Sequence, residues 1–147
     1  MHADLTTNYL GLSLKNPIAA SAGPLTGDLD TLRQLEQAGA AAAVLPSLFE
    51  EQISRDEQRV HLLYEDYAES FAESLTYFPQ VNDYSAGPGQ YLQYLERASK
   101  AVSIPVIGSL NGSSSGGWAR YAKLIEEAGA DAIELNIYFV ASDPDMS

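Results

Sequence analysis

Apolar and small residues along this chain fall into short continuous runs, separated by stretches with helical spacing. "LSLKNPIAASAG" opens with alternation and then turns apolar and small. It predicts a hairpin around Asn8–Gly11 and a first buried strand over Pro17–Ala22. In "GDLDTLRQLEQAGA", Leu29, Leu32, Leu35 and Ala38 form one helical stripe. Asp28 is placed to cap that helix by accepting backbone N–H bonds, and Gly39 to end it in a left-handed turn. "AAAAVLPSLF" predicts a second buried strand. Pro46 has no N–H to donate, so it is expected at the strand's end. Between Glu50 and Gly89, Leu62, Leu63, Phe71 and Leu75 suggest helix among many acids, and "YFPQVNDYSAGPG" reads as a loop. "QYLQYLERASKAV" returns to helical spacing, with Tyr91, Leu95, Ala98 and Val102 on one side. "IPVIGSL" is a third strand and "NGSSSGG" a turn, in which Ser114 or Ser115 would cap the helix "WARYAKLIEEAGA". "DAIELNIYF" supplies a fourth strand.

Two segments align without a gap, "LEQAGAAAAVLPSLF" from Leu35 and "IEEAGADAIELNIYF" from Ile125. The same helix–turn–strand unit thus occurs twice. Strands alternating with helices imply right-handed βαβ units and a parallel sheet. A doubly wound sheet usually carries G-x-G-x-x-G after its first strand, and "SAGPLTGD" does not match. A (β/α)₈ barrel fits better, because the interior of its strands admits polar residues near their C-terminal ends, where chemistry sits. On that reading Ile133, Leu135 and Ile137 face the outer helices, while Glu134 and Asn136 face the barrel axis. The competing explanation is a polar pair at a strand end, bonded to nearby loops.

The formal net charge of −12 argues against a nucleic-acid backbone or an anionic membrane surface as partner. With no cysteine there is no disulfide framework and no thiolate chemistry, which fits a reducing cytoplasm. "MHADLTTNYL" lacks the basic and apolar regions of a signal peptide. No metal site is expected, since the Asp143–Asp145 pair has no histidine beside it and His61 stands alone in an acidic stretch. "NGSSSGGW" lacks the Gly-Lys-Ser/Thr of a phosphate loop and reads as an ordinary βα loop. The tyrosines from Tyr64 to Tyr94 read as helix packing.

"LKNPIAASAGPL", "AGAAAAVLPSLFEEQ", "IPVIGSLNG" and "AGADAIELNIYF", in that order, resemble the dihydroorotate dehydrogenase family, and in particular its bacterial dihydroorotate dehydrogenase-like branch. The resemblance implies an FMN-dependent (β/α)₈ barrel acting on a CH–CH bond of a pyrimidine-type small molecule. By position, Ser21, Ala22 and Gly23 match the segment that lies against the flavin ring. Small residues there would let backbone approach a flat ligand. Asn136 matches a strand-four asparagine able to donate and accept at flavin or substrate. Ser109 stands at the third strand tip, where the family often has asparagine.

The departures are equally specific. Pro46 replaces a lysine that would sit near the flavin's electron-rich edge. Phe139 occupies the position of the family's catalytic cysteine, and Phe cannot take a proton; Ser142 and Asp143 are the nearby alternatives. A whole barrel needs about 250 residues, so residues 1–147 are expected to form its first half, with four parallel strands in chain order, in a truncated product. Unpaired sheet edges and an exposed apolar inner face would then favour homo-oligomers or pairing with the missing half. Two other functions stay open: a non-catalytic half-barrel that needs a partner chain, and a flavin-free barrel enzyme with a phosphorylated substrate.

Overall fold

The computed structural model describes residues 3–50, 52, 88–112 and 117–137. An antiparallel hairpin comes first, formed by β1 (Thr7–Tyr9) and β2 (Leu12–Leu14). Leu10 and Gly11 turn it with φ of 53° and 79°. Two left-handed residues give the turn the twist that strands require. The chain continues through β3 (Ala19–Ala20), a 3₁₀ turn (Pro24–Thr26), α1 (Leu29–Gln37) and β4 (Ala42–Phe49). Then follow α2 (Pro88–Ala101), β5 (Val106–Gly112), α3 (Gly117–Glu127) and β6 (Ala132–Ile137). Strands β3-β4-β5-β6 form one parallel sheet in chain order. This is the α/β architecture of a half-barrel.

The two faces of the sheet differ. On one, Leu32 of α1, Leu95 of α2 and Ile125 of α3 pack with Leu45, Val106 and Leu110 of the strands. Ile133 and Leu135 join them, as the alternation of β6 predicts. On the other face, Ala42, Val44 and Ile107 gather around Leu14 and Leu12 of the hairpin. The inner apolar face is therefore not bare, as expected above, but plugged by the N-terminal hairpin.

The repeated turn behaves alike at both sites. Gly39 and Gly129 take φ of 109° and 96°. Their N–H groups bond Glu36 and Glu126, and the next alanines bond Leu35 and Ile125. These bonds satisfy carbonyls left over at the helix ends. Asp28 caps α1 by accepting from the N–H groups of Asp30 and Thr31.

Four expectations need correction. The first strand is only Ala19–Ala20, and it is not buried, with Ile18 63% exposed. As an edge strand, it has the sheet on one side only among the described residues. Ala38 is the exposed C-cap of α1 rather than part of its buried stripe. Pro46 lies inside β4, not at its end: the register slips between Val44 and Ser47, opposite Gly108. Such a bulge takes a residue out of the ladder, so a missing N–H is tolerated there. The third strand also runs two residues further than expected, to Gly112.

Gly108 lets α2 and α3 settle onto β5. A Cβ at this position would collide with Ile125 Cγ2 and sit 3.3 Å from Leu95 Cδ1. Both leucine and isoleucine are fully buried and have little room to give. Gly108→Ala is expected to cost about 1–3 kcal/mol by overpacking, read as a lower urea midpoint with an unchanged slope.

Glu36, near the end of α1, ties that helix to the turn before β5. Its carboxylate accepts from both the hydroxyl and the N–H of Ser103. Those bonds, led by the hydroxyl, hold Glu36 below its ordinary value of 4.5. A depressed carboxylate contributes stability that is complete above the unfolded pKa and is lost as pH falls through the folded one. The stability advantage of the native chain over Glu36→Gln is therefore expected to shrink below about pH 4.5, measured by thermal melting across the acid range.

Candidate functional site

The inner face becomes polar toward the C-terminal ends of its strands. Ser47, Ser109 and Glu134 stand in register across β4, β5 and β6. The Ser109 hydroxyl donates to Glu134 Oε1 at 2.9 Å, and lies 2.8 Å from the Ser47 hydroxyl. Since the Ser109 hydrogen is committed to the carboxylate, Ser47 is the donor of the pair. Asn136, one step further along β6, donates its amide N–H to the same Glu134 oxygen at 3.2 Å. Ser109 is fully buried, Glu134 half-buried and Asn136 exposed. Glu134 is thus the hub that fixes the asparagine amide. Its nitrogen faces the carboxylate, so its oxygen is left as an acceptor.

The backbone of Ser109 is held from the helix side. The Tyr91 hydroxyl accepts from Ser109 N–H at 2.9 Å and donates to Ser109 C=O at 3.3 Å. This occurs beside the register slip that contains Pro46, where β4 cannot offer a regular ladder. Tyr91 thereby fills a gap that the bulge opens. Burial above all, with a smaller push from Glu134, raises the Tyr91 pKa and keeps the phenol protonated.

The Ser21–Gly23 segment follows the C-terminal end of β3. Ser21 is exposed; Ala22 and Gly23 are half-buried. The buried Thr26 hydroxyl donates to Gly23 C=O at 3.0 Å and accepts Gly23 N–H at 3.3 Å. The Tyr94 hydroxyl donates to Thr26 C=O at 2.7 Å, and burial lifts the Tyr94 pKa to about 12. The small-residue segment is therefore pinned through Thr26 to α2. Space beside Gly23 is open: a Cβ there would meet only Ser21 O, at 4.0 Å.

Ser109 and Asn136 are brought together through Glu134, and Ser21–Gly23 lies two strands away on its own support. Pro46 occupies the slip in β4, its ring 3.2 Å from where a Cβ on Gly27 would be. Phe139, Ser142, Asp143, Asp145 and His61 lie outside the described residues. Among the described residues, no three His, Asp or Glu side chains gather as a metal site, and no helix is long and apolar enough to cross a membrane. A cavity of about 500 Å³ lies at the hairpin end, between Tyr9, Leu14, Val44, Ile107 and Glu134. Glu134 of the polar row forms part of its wall.

Sequence reasoning missed Thr26, Ser47, Tyr91 and Asn111. Period two along β5 would have placed Asn111 on the face of Ser109. Nothing in the sequence marks Tyr91 or Thr26 as more than packing and a loop, because their partners are backbone groups far along the chain.

A parallel sheet with helices on one face, and a polar row across three of its strands, has the form of half a (β/α)₈ barrel. No family model matches the chain. It is 29% identical, over 98% of its length, to the dihydroorotate dehydrogenase B (NAD(+)) catalytic subunit of Thermoplasma acidophilum, and covers 48% of that protein. The same subunit of Thermoplasma volcanium is 27% identical, again over 98% of this chain and 48% of the relative. A putative dihydroorotate dehydrogenase A (fumarate) of Aeropyrum pernix is 28% identical over 91% of this chain and 41% of the relative. The homologues of this chain are dihydroorotate dehydrogenases. The chain spans about half the length of the curated relatives it matches.

Proposed function

We propose that residues 1–147 form the first half of an FMN-binding barrel domain, in a cytoplasmic oxidoreductase that acts on a CH–CH bond of a pyrimidine-type substrate. The observation that carries this reading is the polar row Ser47–Ser109–Glu134–Asn136 at the strand tips of a chain aligned nearly end to end with dihydroorotate dehydrogenases. FMN would supply the hydride acceptor. The ring-side residues fit such a group. Ser21, Ala22 and Gly23 offer small, open backbone pinned by Thr26, and Asn136 offers an oriented carboxamide. Ser109, being buried, would act through Glu134 rather than by direct contact. The phosphate in such barrels is usually held after the seventh and eighth strands, and four strands of the barrel sheet are described here.

A second reading has its own support. β3 and β6 are the sheet's edges, each paired on one side only among the described residues. Open parallel edges template further strands, so the chain would be a half-barrel that acts only with a second copy or a complementary half.

The test joins this chain to the second half of a Thermoplasma relative and purifies the product. Flavin absorbance that survives gel filtration supports the reading, and a colourless, folded product refutes it. In that protein Asn136→Ala is expected to weaken FMN or substrate binding by about 0.5–1.5 kcal/mol, the net value of one hydrogen bond. The 147-residue chain alone is expected to hold FMN weakly or not at all.

A further inference from the structure

Asn111 carries a polar atom without a use in the fold. Its Oδ1 is buried and accepts no hydrogen bond. It lies on β5 two residues beyond Ser109, hence on the same polar inner face, and stands in register with Asn136 of β6. An orphaned buried acceptor costs free energy in the folded state, and native proteins keep few of them without a reason. A valine or threonine would have suited the strand better. The neighbouring asparagine shows what the position is arranged to do. Glu134 takes the Asn136 amide N–H, which leaves the Asn136 oxygen as the acceptor it presents. Two adjacent strand tips then carry carboxamide oxygens, one buried without a donor and one exposed and oriented as an acceptor.

We infer that Asn111 is a ligand-contact residue, and that Asn111 and Asn136 together accept hydrogen bonds from an N–H-bearing group of the imide or ureide class. The inference rests on the flavin reading above, because both the flavin ring and a pyrimidine-type substrate bring such an N–H. Without ligand, the Asn111 oxygen is buried and unpartnered. Rotation about χ2 of asparagine is soft, so it swings toward the strand tips when a donor arrives. The orphaned acceptor destabilises the ligand-free state, and binding relieves that cost. Glu134 adds negative potential beside the pair and so favours donors over acceptors.

This predicts opposite signs for stability and binding. Asn111→Val is measured beside the native residue in the fusion with the relative's second half, and in the 147-residue chain. Ligand-free, the valine variant should melt several degrees higher, since it removes an unsatisfied acceptor and adds a strand-favouring side chain. With FMN and with the cyclic ureide dihydrouracil as separate probes, it should lose most of the melting-temperature rise, with affinity at least five-fold lower for whichever probe the pair recognises. Loss with FMN alone places the flavin ring over the pair; loss with dihydrouracil alone places the substrate there. A lower melting temperature for the variant would show that Asn111 is a structural residue and overturn the inference. So would unchanged affinity for both probes, or no binding of either probe by the native fusion. Flavin absorbance of the native fusion is scored independently: FMN retained with equal affinity in both proteins would refute the role of Asn111 and leave the flavin reading standing.

Discussion

Tyr91→Phe is expected to destabilise the chain by about 2–6 kcal/mol, from two buried backbone groups at roughly 1–3 kcal/mol each. The substitution keeps the ring and its packing among the core residues of α2 and β5. It removes one oxygen, and with it the partner of both Ser109 N–H and Ser109 C=O. The strand on that side is slipped around Pro46 and cannot re-form the ladder. Water has no path to a residue that is fully buried. Against a total stability of about 5–15 kcal/mol for an ordinary domain, the loss is large. It should appear as a drop in urea midpoint. Amide exchange at Ser109 should rise more than at Val106, whose N–H is bonded to the Asp131 carboxylate. Equal stability of Tyr91→Phe would show that the phenol is packing only.

The sequence pattern carried the architecture because it is governed by local chemistry. Leucines at helical spacing, an aspartate cap and the two Ala-Gly-Ala turns each act within a few residues, and each is found as expected. The inward direction of Glu134 and Asn136 follows from period two once Ile133 and Leu135 are assigned to the helices. What stayed hidden depends on residues remote in sequence. Ser47 meets Ser109 across 62 residues, and Tyr94 meets Thr26 across 68. The error over Pro46 has the same origin. Proline's missing N–H implies a place outside the ladder, and a strand end and a bulge both satisfy that. Choosing between them needs the register against β5. The short first strand was overextended because small apolar residues read alike whether they are buried or lie on an edge.

A flavin-loaded fusion carrying these 147 residues is expected to react with dihydroorotate about 10²–10⁴ times more slowly than a relative with its full complement of catalytic groups, the usual worth of a general base. Oxidising that ring requires a base to take a proton from one carbon while hydride leaves the other. The base must stand within hydrogen-bond reach of that proton, on the face away from the flavin. By resemblance, Phe139 stands in the base's position, and its ring has no group that titrates. By the same resemblance, Pro46 stands where a lysine would favour the reduced flavin electrostatically, and a proline side chain carries no charge. In the polar row the Ser109 hydroxyl is buried and committed to Glu134, and Glu134 Oε1 is engaged by both Ser109 and Asn136. Stopped-flow bleaching of the flavin on mixing with dihydroorotate decides the matter. Slow bleaching that Phe139→Cys accelerates places the missing base at that position. Rapid bleaching in the unmodified fusion assigns the proton to another residue, with Ser142 the first to substitute, and overturns the reading of Phe139.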